Sequence, residues 1–128
     1  MKPSLAIDEL QSLNRILEGQ PPQKIMREAV RHFGDRLVLA CSFGAEDVVL
    51  AAMLFRINPQ GTLFYLDTDF LFSETLGVRD RLIQQYHLQA DQIIRVKPAL
   101  TPEEQAAQYG EALWLRDPDQ CCKLRKID

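Results

Sequence analysis

At the start of the chain apolar residues return every three or four positions. Leu5, Ile7, Leu10, Leu13, Ile16 and Leu17 form one such series, which predicts an amphipathic helix ending at Gly19. Ile25, Met26, Ala29, Val30 and Phe33 form a second, from about Pro22 to Phe33, with Gly34 as its stop. The pattern then changes. "RLVLACS" is a continuous run of strand-forming residues, as a strand buried on both faces requires, and the helical "AEDVVLAAMLFRI" follows within a few residues. "TLFYLD" repeats the strand signal. In the helix after it Ser73 is placed to cap, Glu74 to favour the first turn, and Leu76, Leu82, Ile83 and Tyr86 to form the buried stripe. "QIIRVKP" is a third strand, stopped by Pro98. This alternation predicts right-handed crossovers and an α/β fold: an open, mainly parallel, Rossmann-like sheet with helices on both faces. Two N-terminal helices, residues 1–34, would precede an α/β domain over residues 35–128.

Beyond Pro98, Thr101 as cap and Pro102 in the first turn open another helix, which Gly110 ends. "RDPDQCCKLRKID" reads as a turn entering a further helix, and no fourth strand follows. The α/β domain is therefore expected to be incomplete at its C-terminal side.

Composition narrows the class. A chain of 128 residues with 46% hydrophobic and 26% charged residues suits one soluble globular domain. A formal charge of -3 gives no general electrostatic footprint for nucleic acid, and no apolar run is long enough for a bilayer. The first nineteen residues alternate polar and apolar types, unlike a signal peptide, so the cytoplasm is the expected compartment. Three cysteines, Cys41 alone and Cys121 beside Cys122, do not make a secreted disulfide framework and are expected as reduced thiols.

Two polar loops fall at the carboxyl ends of predicted strands, where open parallel sheets bind ligands. The first, Ser42, Phe43, Gly44, Ala45, Glu46 and Asp47, ends a strand and starts a helix. Its free backbone N–H groups and the helix dipole suit a phosphate or sulfate, with Gly44 allowing close approach and the Ser42 hydroxyl one more donor. Glu46 and Asp47 have the wrong sign for an anion and are expected to steady the helix start, the loop's own amides or a sugar hydroxyl. A plain capped turn would use the same residues. The second loop, "LDTDFLFSET", places Asp67, Thr68 and Asp69 at a neighbouring strand end, suited to a ribose or base or to capping a turn. Phe70 and Phe72 are either stacking partners for a base or core.

The vicinal cysteines Cys121 and Cys122 suit neither a mutual disulfide nor one shared metal ion, but can serve separate irons of a cluster. Two incidental thiols are the alternative. Cys41, on a strand, is expected in the core.

The ordered motifs "SFGAEDVVL", "FYLDTDFLFSET" and "RDPDQCCKLRK" resemble the assimilatory adenylyl-sulfate and phosphoadenylyl-sulfate reductases, of the adenine nucleotide hydrolase-like group, over about residues 36–128. The vicinal cysteines resemble the iron–sulfur branch that acts on adenylyl sulfate. The resemblance implies reduction of adenylyl sulfate to sulfite and AMP with thioredoxin, in sulfate assimilation toward cysteine. It implies that Ser42 to Asp47 form the anion loop, Asp67 and Thr68 face the nucleotide, Cys121 and Cys122 ligate a 4Fe-4S cluster, and Arg125 and Lys126 lie near cluster and substrate. Asp69 departs from the glycine found there in many members. The family's second cysteine pair, arginine-rich segment and nucleophilic cysteine are all expected beyond Asp128. The chain accordingly reads as the N-terminal portion of such an enzyme, inactive and without a stable cluster by itself, its last residues disordered. A homo-oligomer sharing one cluster between two chains is the competing expectation. The other functional readings are an ATP-cleaving adenylating enzyme of the same loop superfamily and a non-catalytic nucleotide-binding module.

Overall fold

A computed structural model describes residues 5–128; the first four residues of the predicted N-terminal helical segment lie outside it. The described chain forms α1 (Ile7–Leu17), α2 (Pro22–Phe33), β1 (Val38–Ala40), α3 (Ala45–Ile57), β2 (Thr62–Leu66), α4 (Ser73–Tyr86), β3 (Ile93–Val96), α5 (Pro102–Tyr109), α6 (Leu113–Arg116) and α7 (Pro118–Lys126). Each predicted strand and helix is present. The strands are shorter than their apolar runs, because pairing ends where the loops diverge.

The boundaries follow local chemistry. Thr101 caps α5 by accepting the Glu104 N–H at 3.1 Å, with Pro102 in the first turn, and α5 ends at Gly110, whose φ of 89° is left-handed. Asp117 caps α7 in the same way, accepting the Gln120 N–H at 3.1 Å. Ser73 does not cap α4. The cap position belongs to Phe72, so Ser73 is already helical and its hydroxyl turns to the Glu74 carboxylate at 3.3 Å.

The sheet has the order β1-β2-β3, all parallel, with Leu39 beside Leu63 and Leu63 beside Ile93. Alternation then sorts the side chains. Leu39, Leu63, Tyr65 and Ile93 share one face, and on it pack Ala51, Leu54 and Phe55 of α3 and Leu82 of α4, with Met26 and Val30 of α2 beside them. Val38, Leu66, Ile94 and Val96 share the other face and are exposed. Helical cover on both faces is thus realised on one among the described residues. The reason is topological: two right-handed crossovers that step in the same direction place both helices on the same side. For the same reason β1, expected to be buried on both faces, is an edge strand with only Leu39 partly covered. The two edges differ: β3 and its continuation carry Arg95 and Lys97, whereas β1 carries no charge.

A buried glutamine joins the connections at the amino end of the sheet. Gln92 donates both amide hydrogens, to the carbonyls of Pro59 at 2.8 Å and Gly61 at 3.0 Å, and so ties the turn before β2 to the turn before β3.

Candidate functional site

The first loop leaves β1 through a left-handed bend at Phe43, φ 64°, and enters α3 at Ala45 with Gly44 as its cap residue. The Phe43 ring is driven into the core against Tyr65, centroids 5.1 Å apart, which offsets the cost of a left-handed non-glycine residue. Gly44 itself has an ordinary φ of -69°, and a Cβ there would meet only van der Waals contacts at 3.5 and 3.6 Å. The fold does not demand this glycine.

Asp47, in the first turn of α3, reaches back over the loop. Its Oδ2 accepts the Ser42 N–H at 2.6 Å and the Ser42 hydroxyl at 2.7 Å, and the Ser42 oxygen accepts the Gly44 N–H at 3.4 Å. These contacts, the Ser42 N–H first and its hydroxyl second, hold the Asp47 carboxyl below the usual carboxylate range. Asp47 therefore binds the loop's own amide, as the sign of its charge suggested. The same bond occupies the Ser42 hydroxyl that was expected to face an anion. The amides of Ala45, Glu46 and Asp47, the first three of α3, have no acceptor inside the helix by its geometry, and the helix dipole points along them. Glu46 and Ala45 are exposed at its start.

The second loop repeats the device. Asp69 takes the left-handed bend, φ 65°, and aspartate is among the few residues that tolerate it. Asp67 accepts the Asp69 N–H at 3.0 Å and pairs with Arg95 at 2.9 Å; Thr68 accepts the Phe70 N–H at 3.3 Å. Both side chains thus shape the loop from within.

A cavity of about 420 Å³ opens between the loops, at the carboxyl ends of β1 and β2, with Cys41, Ser42, Asp47, Tyr65, Thr68 and Lys126 in its lining. Cys41 is buried as expected, and burial pushes its thiol pKa up, against a hydrogen bond from the Phe43 backbone. Its place in this wall was not read from the sequence. Lys126 arrives from α7 and is exposed.

Arg125 behaves differently from its neighbour. It is 4% exposed, and its guanidinium donates to the Thr68 carbonyl at 3.0 Å, the Leu100 carbonyl at 2.6 Å, Gln105 Oε1 at 3.3 Å and Asp69 Oδ2 at 2.5 Å. Lys97 pairs with the other Asp69 oxygen at 2.8 Å. Arg125, expected near the substrate, has its guanidinium engaged by four internal acceptors. Nor is the C-terminal segment disordered: α7 is bolted to the second loop through this side chain.

Cys121 and Cys122 are consecutive on α7, so about 100° of helix rotation separates them. Cys121 is buried and Cys122 exposed. Both line a second cleft of about 660 Å³, walled by Phe70 and Trp114, which shares Thr68, Leu71 and Lys126 with the first cavity. Phe70 packs on Trp114, ring centroids 5.3 Å apart, with the Arg125 guanidinium carbon 5.6 Å from its ring centre, so it serves this wall. Among the described residues no three His, Cys, Asp or Glu converge to hold one metal ion, and Cys41 belongs to the other cavity. The pair offers two sulfurs on one helix, Cys121 buried and Cys122 exposed.

Residues 36–128 match the phosphoadenosine phosphosulfate reductase domain. The chain belongs to this family. An adenosine 5'-phosphosulfate reductase of Shouchella clausii is 43% identical over 120 residues, which is 94% of this chain and 49% of that protein. A phosphoadenosine 5'-phosphosulfate reductase of Gloeobacter violaceus is 42% identical over 130 residues, 99% of this chain and 53% of that protein. The crystal structure of phosphoadenylyl-sulfate reductase from Candida auris, a phosphate complex, superimposes with a TM-score of 0.77 at 26% identity, covering 99% of this chain and 61% of that one. The chain thus spans about half the length of the curated relatives it matches. In this phosphoadenosine phosphosulfate reductase domain the three motifs that suggested the family lie around two adjoining cavities. Sequence reading missed Arg95, Lys97 and Gln105; the last left a faint signal, a polar residue on the inward side of an otherwise ordinary helix.

Proposed function

We propose that the chain is the nucleotide-binding part of a thioredoxin-dependent adenylyl-sulfate reductase of sulfate assimilation. The observation that carries this reading is the cavity between the two strand-end loops, joined by Lys126 and Thr68 to the cleft of the cysteine pair. The unpartnered first amides of α3 would receive the anionic end of the nucleotide, and Gly44, which the backbone does not require, leaves room for its close approach. Lys126 would supply the one cation that both cavities share. That a Candida auris relative was solved with phosphate, and that curated relatives carry the name adenosine 5'-phosphosulfate reductase, supports the same ligand class.

In the whole reaction a cysteine thiolate attacks the sulfur of adenylyl sulfate, the S–O bond breaks with its electron pair leaving on AMP, and an enzyme S-sulfonate remains. One thioredoxin thiolate then attacks the enzyme sulfur, sulfite leaves with the S–S electron pair, and the second thioredoxin thiolate resolves the mixed disulfide, freeing the enzyme cysteine and leaving thioredoxin as its disulfide. The described residues would supply the cradle; burial pushes the Cys41 thiol up, which disfavours it as the nucleophile. A 4Fe-4S cluster, where present, would be held in part by Cys121 and Cys122 and would supply redox-active iron at the cleft they line. The chain is expected in the cytoplasm, and among the described residues no helix is long and apolar enough to cross a membrane.

Calorimetry with AMP, adenylyl sulfate and its 3'-phosphorylated form tests the reading. Binding of AMP and adenylyl sulfate, weakened tenfold or more by Lys126→Ala, is expected, with no sulfite release by this chain alone. Absence of binding to all three nucleotides would reject it.

A further inference from the structure

Gln105 on α5 is 3% exposed and lies between Arg125 and Cys121. Its Oε1 accepts from Arg125 Nη1 at 3.3 Å, and its Nε2 donates to Cys121 Sγ at 3.5 Å. The two ends of a carboxamide are nearly the same shape, so the partners decide which end faces which way. A guanidinium has donors only. It therefore admits the oxygen of Gln105 and turns the NH2 toward the sulfur. Arg125 is in turn seated by Asp69 and by the Thr68 and Leu100 carbonyls, so the orientation is set from the second loop. Cys121 and Arg125, one helical turn apart, are the two buried residues of α7, and Gln105 touches both.

We propose that Gln105 is a positioning residue for Cys121, locked in a single amide orientation by Arg125 so that it donates an N–H to the cysteine sulfur. The proposal rests on the reading of Cys121 as a cluster ligand. Toward such a cluster the contact would fix the Cys121 rotamer and place a hydrogen bond on a coordinating sulfur, a recognised means of setting reduction potential. Cys122, exposed on the same helix, has no such donor among the contacts of the described residues.

The test needs no iron and so stands apart from the assignment of function. The Gln105 side-chain NH2 resonances of the 15N-labelled chain are identified by their loss in Gln105→Glu, an isosteric change that keeps an acceptor for Arg125. In wild type one proton of the pair is expected downfield of the other glutamines and slow to exchange. Cys121→Ser, which retains an acceptor, should preserve that signature. Cys121→Ala should move the proton upfield by several tenths of a ppm and speed its exchange about tenfold, with an unchanged far-ultraviolet spectrum. An identical signature in the Ser and Ala variants would overturn the proposal, since burial alone would then explain it. Arg125→Lys, which still offers a donor to Oε1, should retain the signature; if that variant does not fold, the contrast between Ser and Ala decides by itself.

Discussion

Phe43 and Asp69 occupy the left-handed backbone region at corresponding places, each third beyond the end of its strand, and each offsets the strain differently. Phe43 uses ring burial; Asp69 uses charge, as the partner of the buried Arg125 and of Lys97. Removing the Asp69 carboxylate leaves a buried guanidinium short of its counter-ion, a change that costs about 3 kcal/mol or more. Asp69→Gly relieves about 1 kcal/mol of left-handed strain, so Asp69→Ala should be the more destabilising of the two in urea unfolding. Asp47 sets a pH dependence. Its carboxyl is held below the usual range in the folded chain, so its contribution is complete above about pH 4 and is lost as pH falls through the lowered value. Because the group is only partly buried, the contribution is modest. Asp47→Ala should cost about 0.5–1 kcal/mol at pH 7, and the gap between variant and wild type should narrow as pH falls through the lowered value.

Strands and helices were legible because their signals are local. Continuous apolar runs marked β1, β2 and β3, and three- to four-residue spacing marked α1, α2 and α4. What covers each strand was not legible: "RLVLACS" reads as doubly buried, yet hydrophobicity does not say which part of a protein supplies the second cover. Nor could the spacing reveal Asp69 against Arg125, 56 residues apart, or show that Asp47 and not Glu46 would turn back to Ser42. The two loops and the cysteine pair were readable as candidates, because polar residues at strand ends and adjacent thiols stand out from the packing pattern. Gln92 illustrates how the elements are joined by contacts that leave no pattern. Replacing it with Leu strips the Pro59 and Gly61 carbonyls of their donors in a buried place. Gln92→Leu should cost about 2–3 kcal/mol, read as a lower urea midpoint with an unchanged m-value.

For the molecule as one body, the donor count governs metal. A four-iron cluster takes four thiolates and α7 presents two, so the anaerobically purified chain should carry no stable iron and retain three titratable thiols after unfolding. Iron and sulfide analysis checks this; about four irons per two chains with brown absorption would instead mean a cluster bridging two copies. The unlike sheet edges add a directional constraint of their own. A strand arriving beside β3 must desolvate the Arg95–Asp67 and Lys97–Asp69 pairs, while beside β1 it meets only Val38, Leu39 and Ala40. Fibre growth requires two receptive sides on every unit, and this sheet has one. Were copies to meet through their sheet edges, two β1 edges would be the less costly pair, and such a two-fold contact closes upon itself and ends there.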